Sequence, residues 1–268
     1  MQAGFCLKIL INQLYFKTLI AMKRKILPDY LRALLLKMLH GGPAFSKEAD
    51  LWVVGHGSEK IHIPILRRYT MYKKGINLRL RHMLARYDVG DINGALILDI
   101  GAHIGEFAMA ASPYAKKILC FEPDPVARAA LIKNVSNLGN VVVLPFALSN
   151  ETGVSTFYIA TTYADSSLFK SSDVPSTSIQ VKTKRLDDLS LDFSGYTRSV
   201  LKMDAEGFEP EVLQGGKNTL AQLSQTAIDV SPERGGEDTY DDVKKLLESS
   251  GLIEEFMTDD MVLVSKRP

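Results

Sequence analysis

The stretch "LILDIGAHIGEFAMA", residues 96–110, runs an apolar segment through Asp99 and Ile100 into two glycines, Gly101 and Gly105, and then into small residues. An apolar run of this length bounded by glycine reads as a buried strand, and "EFAMAASPYA" (106–115) behind it reads as a helix. A strand that turns on glycines into a helix opens a parallel, doubly wound sheet.

Downstream the alternation repeats. "KILCFE" (117–122) reads as a strand, and "PDPVARAALIKNVSNLG" (123–139) as a helix with Asp124 at its N-cap and Pro125 at its first position. "NVVVLPFAL" (140–148), "SVLKMD" (199–204) and "TAIDV" (226–230) read as strands; "PEVLQGGKNTLAQL" (210–223) and "YDDVKKLLESSG" (240–251) read as helices. Strands alternating with helices pack as a parallel sheet covered on both faces. In "IEEFMTDDMVLVSK" (253–266) two extended runs flank a polar turn and are expected to pair antiparallel. Between residues 150 and 190, "VSTFYIA" and "SIQVKTKRL" are expected to add a hairpin or ribbon at an edge. The expected architecture is α/β: a doubly wound, mostly parallel, Rossmann-like sheet over residues 89–268 with an antiparallel C-terminal strand, preceded by a basic, mainly helical extension over residues 1–88.

The chain has 268 residues, 46% hydrophobic and 24% charged, enough for one substantial core plus an extension. Its two cysteines, Cys6 and Cys120, match neither a disulfide framework nor a metal knuckle, which fits a reducing compartment and a cytoplasmic location. The net charge of +1 hides a division. Residues 1–87 hold 16 basic and 4 acidic residues, whereas the remainder holds 16 basic and 27 acidic. The first third is therefore expected to meet something anionic. Within it, residues 1–40 are apolar but punctuated by Lys8, Lys17 and Lys23-Arg24-Lys25, so no run reaches the ~20 apolar residues of a membrane span. No small-residue cleavage site follows a compact apolar segment either. Two helices that break near Pro28 are expected to pack on their own domain or a second subunit, with peripheral contact to an anionic inner membrane face as the alternative.

Ligands of such sheets bind at the carboxyl ends of strands. A dinucleotide turn uses G-x-G-x-x-G so that pyrophosphate can reach the backbone, whereas here Gly101-x-x-x-Gly105 stands behind Asp99, a carboxylate that repels phosphate. This arrangement suits a ligand with an ammonium and no phosphate. S-adenosylmethionine carries an ammonium, a sulfonium, a ribose and an adenine. Glu122 ends the second strand about 20 residues beyond Gly101, the interval at which an acid receives ribose hydroxyls.

"DIGAHIGEF", "FEPDP", "ALSN", the "SSL" of Ser166–Leu168, "RLDDL" and "LKMDAEGFEPEVLQGG", in this order over about residues 95–231, resemble the FkbM family of S-adenosylmethionine-dependent methyltransferases. The resemblance implies a seven-stranded class I methyltransferase sheet and methyl transfer to a hydroxyl of a sugar, glycolipid or secondary metabolite. It implies cofactor contacts from Asp99, Gly101, Ala102, His103 and Gly105 in the turn, from Glu122 and Pro123 after the second strand, and from Ala147 and Asp204. Two positions depart from the family: His103 stands where asparagine is common, and Asp229 in "AIDVSPE" where glutamate is common.

In "LKMDAEGFE" the two-residue period of a strand puts Lys202 and Asp204 on one face, with Glu206 and Glu209 following where the strand opens. A hydroxyl is a poor nucleophile at neutral pH, so it must be aligned and relieved of its proton. Asp204 is the first candidate for that task, with Lys202 and Glu206 shaping the charge around it; Asp229 is second and His103 third. No metal is expected, although Asp204, Glu206 and Asp229 offer oxygen ligands at adjacent strand ends. Glu233, Arg234, Glu237 and Asp238, around Gly235 and Gly236, read as a lid or a solvated turn. Trp52, Tyr69 and Tyr72 read as core rather than as a sugar platform. An oxidoreductase is disfavoured, because the G-x-G-x-x-G of a dinucleotide turn is absent from the sheet region. No N/D-P-P-Y/F follows the fourth strand, which argues against an extruded nucleic-acid base as acceptor. The remaining rival is a non-catalytic, membrane-associated binding module.

Overall fold

The computed structural model describes residues 28–160, 166–168, 176–234 and 236–268. The first of the two expected N-terminal helices lies outside them; the second is α1 (Asp29–His40), closed by Gly41 in the left-handed conformation. An antiparallel meander follows, β1 (Phe45–Glu48), β2 (Leu51–His56) and β3 (Glu59–Ile63), then α2 (Tyr69–Tyr72) and α3 (Ile76–Tyr87). The meander adds three strands that the reading of this region as mainly helical did not include. Their burial alternates imperfectly over five or six residues, too short a pattern to separate from helix by periodicity.

From β4 (Leu96–Ile100) onward the chain builds the doubly wound sheet. α4 (Glu106–Ala111), β5 (Lys117–Phe121), α5 (Pro125–Asn134) and β6 (Val141–Leu144) form one wing. β10 (Ser199–Met203), α6 (Glu209–Gln214), α7 (Lys217–Leu220), β11 (Gln225–Asp229), α8 (Tyr240–Ser249), β12 (Ile253–Met257) and β13 (Val262–Lys266) form the other. The strand order is β12-β13-β11-β10-β4-β5-β6, with β13 antiparallel to both β11 and β12. The order reverses between β4 and β10, and ligands of open α/β sheets bind at such a switch point.

Local chemistry accounts for the caps. Asp124 accepts hydrogen bonds from the Val126 and Ala127 amides at 2.8 and 3.3 Å, with Pro125 at the first helical position. The single helix expected over 210–223 splits at Gly215, where a Cβ would stand 2.1 Å from the Ser149 carbonyl, so the chain must bend there without a side chain. The expected strand over 140–148 also divides, since β7 (Ala147–Leu148) leaves the main sheet to join the ribbon of β8 (Gly153–Ala160) and β9 (Ser176–Lys184) in a separate three-stranded sheet.

Each sheet face has its own core. Leu96, Leu98, Ile100, Leu201 and Met203 pack against Val212, Leu213, Val243 and Leu247 of α6 and α8. Ile97 and Val200 face the other way, against Met83, Tyr87, Phe107 and Ala108 of α3 and α4. A third cluster joins Leu36, Val54, Ile61, Ile63, Tyr69 and Tyr72 to Ile104 and Ala130, so the residues before β4 are packed onto the glycine turn and α5. Tyr69 and Tyr72 are fully buried, as the core reading expects.

Candidate active site

Parallel pairing of β4 with β10 sets Asp99 beside Lys202. Both project into the core under α3, and Lys202 Nζ lies 3.0 Å from Asp99 Oδ1 while donating to the Gly101 carbonyl at 3.0 Å. Burial pushes the Asp99 carboxyl up and Lys202 opposes it. Burial also weighs against the charge on Lys202, but Asp99 and Asp204 outweigh it and raise its pKa. Each charge offsets the other in a site where either alone would be costly to bury. This corrects two expectations: Asp99 lies beneath the cavity instead of on its wall, and the partner of Lys202 is Asp99, not Asp204 or Glu206.

Immediately after β4 the backbone enters the left-handed region at Gly101 (φ +69), His103 (φ +50) and Gly105 (φ +87). At Gly101 a Cβ would meet the Asp204 carbonyl at 1.8 Å, which excludes any side chain. The turn is fastened to β5 through the Gly101 and Ala102 amides on the Phe121 carbonyl. Glu122 completes it, accepting the His103 amide at 2.7 Å and the Asp124 amide at 2.8 Å. Those amides favour the carboxylate, but burial outweighs them and pushes the group up to about 8.

Two cavities meet at this edge. The larger, about 280 Å³, is lined by Gly101, Ala102, His103, Glu122, Lys202, Asp204, Glu206 and Asp229 from the sheet side. The smaller, about 50 Å³, is largely apolar, with Phe121, Pro123, Ala147, Phe157, Leu168 and Phe208 around it, and shares Gly101, Glu122, Ser166 and Asp204 with its neighbour. Gly105 lines neither cavity; it lets the turn pack on Leu131. The "SSL" strap closes over the junction, with Ser167 Oγ donating to the Glu206 carbonyl at 2.8 Å.

Asp204 accepts a 2.7 Å hydrogen bond from Tyr87 Oη and lies 3.5 Å from Arg86 Nη1. Arg86 also bonds Asp229, which accepts the Ser231 amide at 3.0 Å. Burial, then the Asp204 charge, pushes Asp229 up. Glu233 reaches about 9, chiefly through burial and then through the charges of Asp204, Asp229 and Glu209. Carboxylate oxygens of Asp204, Asp229 and Glu233 lie within 4.8 Å of one another, a spacing compatible with a divalent cation, but Arg86 already bridges two of them. Below the loop, Glu209 accepts the Ala205 and Gly207 amides at 3.0 and 3.1 Å and so shapes the backbone of "DAEGFE". Burial raises it to about 7.

The opposite wall comes from residues that the sequence reading did not single out. Arg79, Met83 and Arg86 recur on one face of α3, and Arg68 and Met71 flank them. Buried Glu106 accepts two hydrogen bonds from Arg79, at 2.8 and 3.0 Å, and one from Tyr72 at 2.7 Å. Burial pushes Glu106 up, but Arg79 and then Arg68 hold it down at about 2. The i, i+4, i+7 spacing of Arg79, Met83 and Arg86 was the available signal: a basic stripe interleaved with methionine.

A doubly wound seven-stranded sheet with an antiparallel end, a glycine turn after its central strand and acids closing β5 and β10 is the class I methyltransferase architecture. The chain belongs to the methyltransferase FkbM domain family, whose model matches residues 99–257. It is 30% identical over 148 residues to the 2-O-methyltransferase NoeI of Sinorhizobium fredii, covering 47% of this chain and 59% of that one. It is also 30% identical over 155 residues to the hexuronic acid methyltransferase AglP of Haloferax volcanii, covering 58% of this chain and 62% of that one. The chain thus spans about 60% of the length of each of these curated relatives. Among solved structures it resembles magnesium protoporphyrin IX methyltransferase from Synechocystis PCC 6803, with a TM-score of 0.44 and 11% identity, over 75% of this chain and 81% of that one.

Proposed function

We propose that this chain transfers a methyl group from S-adenosylmethionine to a hydroxyl of a sugar, glycolipid or secondary metabolite. The observation that carries this reading is the junction of an apolar slot and an ionisable chamber at Gly101, Glu122 and Asp204. The residues fit the cofactor: Phe121, Pro123, Ala147 and Phe208 would hold the flat apolar adenine, Glu122 would accept from a ribose hydroxyl, and the acid-rich strand ends would suit an ammonium. When bound, S-adenosylmethionine supplies a methyl group activated by a sulfonium. The 2-O transfer named for one relative and the hexuronic acid named for the other support an oxygen of a sugar as acceptor.

Asp204 is the group that orients the acceptor hydroxyl and accepts its proton. Its side chain is 20% exposed whereas that of Asp229 is 1% exposed, so Asp204 is the more accessible to an acceptor. Tyr87 and Arg86 hold its carboxylate in place, and Lys202, pinned by Asp99, fixes the floor. Calorimetry tests the cofactor assignment: the chain binds S-adenosylmethionine and its demethylated product but not NAD. Binding of NAD alone overturns it. Intact-mass screening of glycans and lipids incubated with the cofactor then identifies the acceptor.

A second proposal concerns presentation of the acceptor. Among the described residues no helix is long and apolar enough to cross a membrane. α1 nevertheless exposes Tyr30, Leu31, Leu34, Met38 and Leu39, and residues 1–40 carry seven basic residues against one acidic. These features support peripheral contact with an anionic lipid face. Flotation with anionic vesicles that weakens with salt and is lost on deleting residues 1–40 is the expected result; unchanged association of the deletion variant overturns it.

A further inference from the structure

Three arginines reach the larger cavity, and they are not equally occupied. Arg79 is engaged by Glu106 through two hydrogen bonds, and Arg86 is engaged by Asp229 and Asp204. Arg68 is 8% exposed, and its one ion-pair partner among the described residues is Glu106, at 3.8 Å, beyond hydrogen-bond distance. Its Nε is sealed from solvent and has no acceptor among the described residues. A sealed guanidinium nitrogen without an acceptor is costly, and such groups are normally satisfied. Glu106 does not hydrogen-bond it at 3.8 Å while accepting three bonds from Arg79 and Tyr72, and one carboxylate leaves the Arg68–Arg79 pair with a surplus positive charge. The short 3-10 turn Leu66–Arg68 and the buried Leu66 hold Arg68 in the lining of the same chamber as the acids at the ends of β10 and β11.

We propose that Arg68, with Arg79 behind it, forms an oxyanion subsite that recognises a carboxylate, sulfate or phosphate carried by the acceptor. The planar guanidinium matches such groups bidentately. An acceptor bridging the chamber places its anionic substituent on Arg68 and its reacting hydroxyl toward Asp204, so the subsite selects charged acceptors over neutral ones of the same size. This rests on the methyltransferase reading only for the naming of the acceptor. Anion binding itself is measured without turnover.

The test is calorimetry on the full chain at constant ionic strength, with sodium sulfate, methyl glucuronide and the neutral methyl glucoside as probes. Saturable binding of sulfate or methyl glucuronide, at least tenfold tighter than methyl glucoside and weakened tenfold or more in Arg68→Gln, is expected. No anion binding above the chloride background, or equal binding by Arg68→Gln, overturns the proposal. Sulfate binding without glucuronide binding points to a sulfated or phosphorylated acceptor, and the reverse to a carboxylated one; both support the subsite. If Arg68→Gln fails to fold, ¹⁵N spectra of the wild-type arginine Nε groups decide, because sulfate must shift the resonance removed in Arg68→Lys. S-adenosylmethionine titrated into the same sample separates the two readings: its failure to bind removes the methyltransferase assignment and leaves the anion result standing.

Discussion

Tyr87 and Asp204, 117 positions apart, are joined by a 2.7 Å hydrogen bond from the phenol to the carboxylate. Tyr87 is fully buried, edge-on to Phe107 at 5.6 Å and beneath Lys202 Nζ at 5.0 Å. The phenol is therefore a rigid support for the proposed base. Tyr87→Phe keeps the packing and removes one charged hydrogen bond, worth about 1.5–3 kcal/mol. Turnover on an identified acceptor is expected to fall about tenfold at unchanged cofactor affinity, with the loss in kcat more than in KM. Undiminished kcat shows that the phenol does not position Asp204.

Asp204→Asn preserves size but cannot take a proton. Turnover is expected to fall ~10²-fold or more while cofactor binding by calorimetry survives. A thermal melt controls for loss of the Arg86 contact. Near-full turnover moves the assignment to Asp229, tested by Asp229→Asn.

Glu106→Gln removes the counter-charge of Arg79 and Arg68 inside the fold. Stripping one partner from a buried ion pair costs about 3–5 kcal/mol. Denaturant unfolding should show this as a lower midpoint at unchanged slope, since the surface exposed on unfolding is the same.

Glu122, at about 8, and Glu209, at about 7, both bind protons more tightly in the folded chain than at the ordinary value of 4.5. Above pH 4.5 the unfolded chain releases these protons while the folded chain keeps them, so stability is full below that pH. It falls as pH rises through about 7 to 8 and then levels off. Melting temperatures of the cofactor-free protein between pH 5 and 8.5 should trace this decline, and Glu122→Gln should flatten it. An unchanged pH slope in that variant shows that Glu122 is ionised in the fold.

Gly101→Ala places a methyl group 1.8 Å from the Asp204 carbonyl at a positive φ. Both effects are unfavourable, and destabilisation of more than ~1 kcal/mol with loss of S-adenosylmethionine binding is expected. Gly139→Ala, where a Cβ meets nothing within 4 Å and φ is not left-handed, is the control.

Much of this protein is written in short windows of its chain. The β4 strand, the turn at Gly101, the Asp124 cap and the antiparallel end were legible because periodicity, glycine and capping chemistry act within a few residues. Acids at positions 122, 204 and 229 were legible for a related reason: each ends an apolar strand, and parallel strands bring their carboxyl ends to one edge. The meander over residues 45–63 was not legible, since its short strands carry no clean period. What folding alone settled is which charge meets which. Asp99 takes Lys202 through the register of β4 and β10, whereas Asp204 takes Tyr87 and Arg86 because Met83 and Tyr87 seat α3 on the sheet. Arg68 and Glu106 become neighbours because Tyr69 and Tyr72 pack on Ile104. Ion pairing acts over a few ångströms between groups up to 143 residues apart, so only the packed core determines the partners.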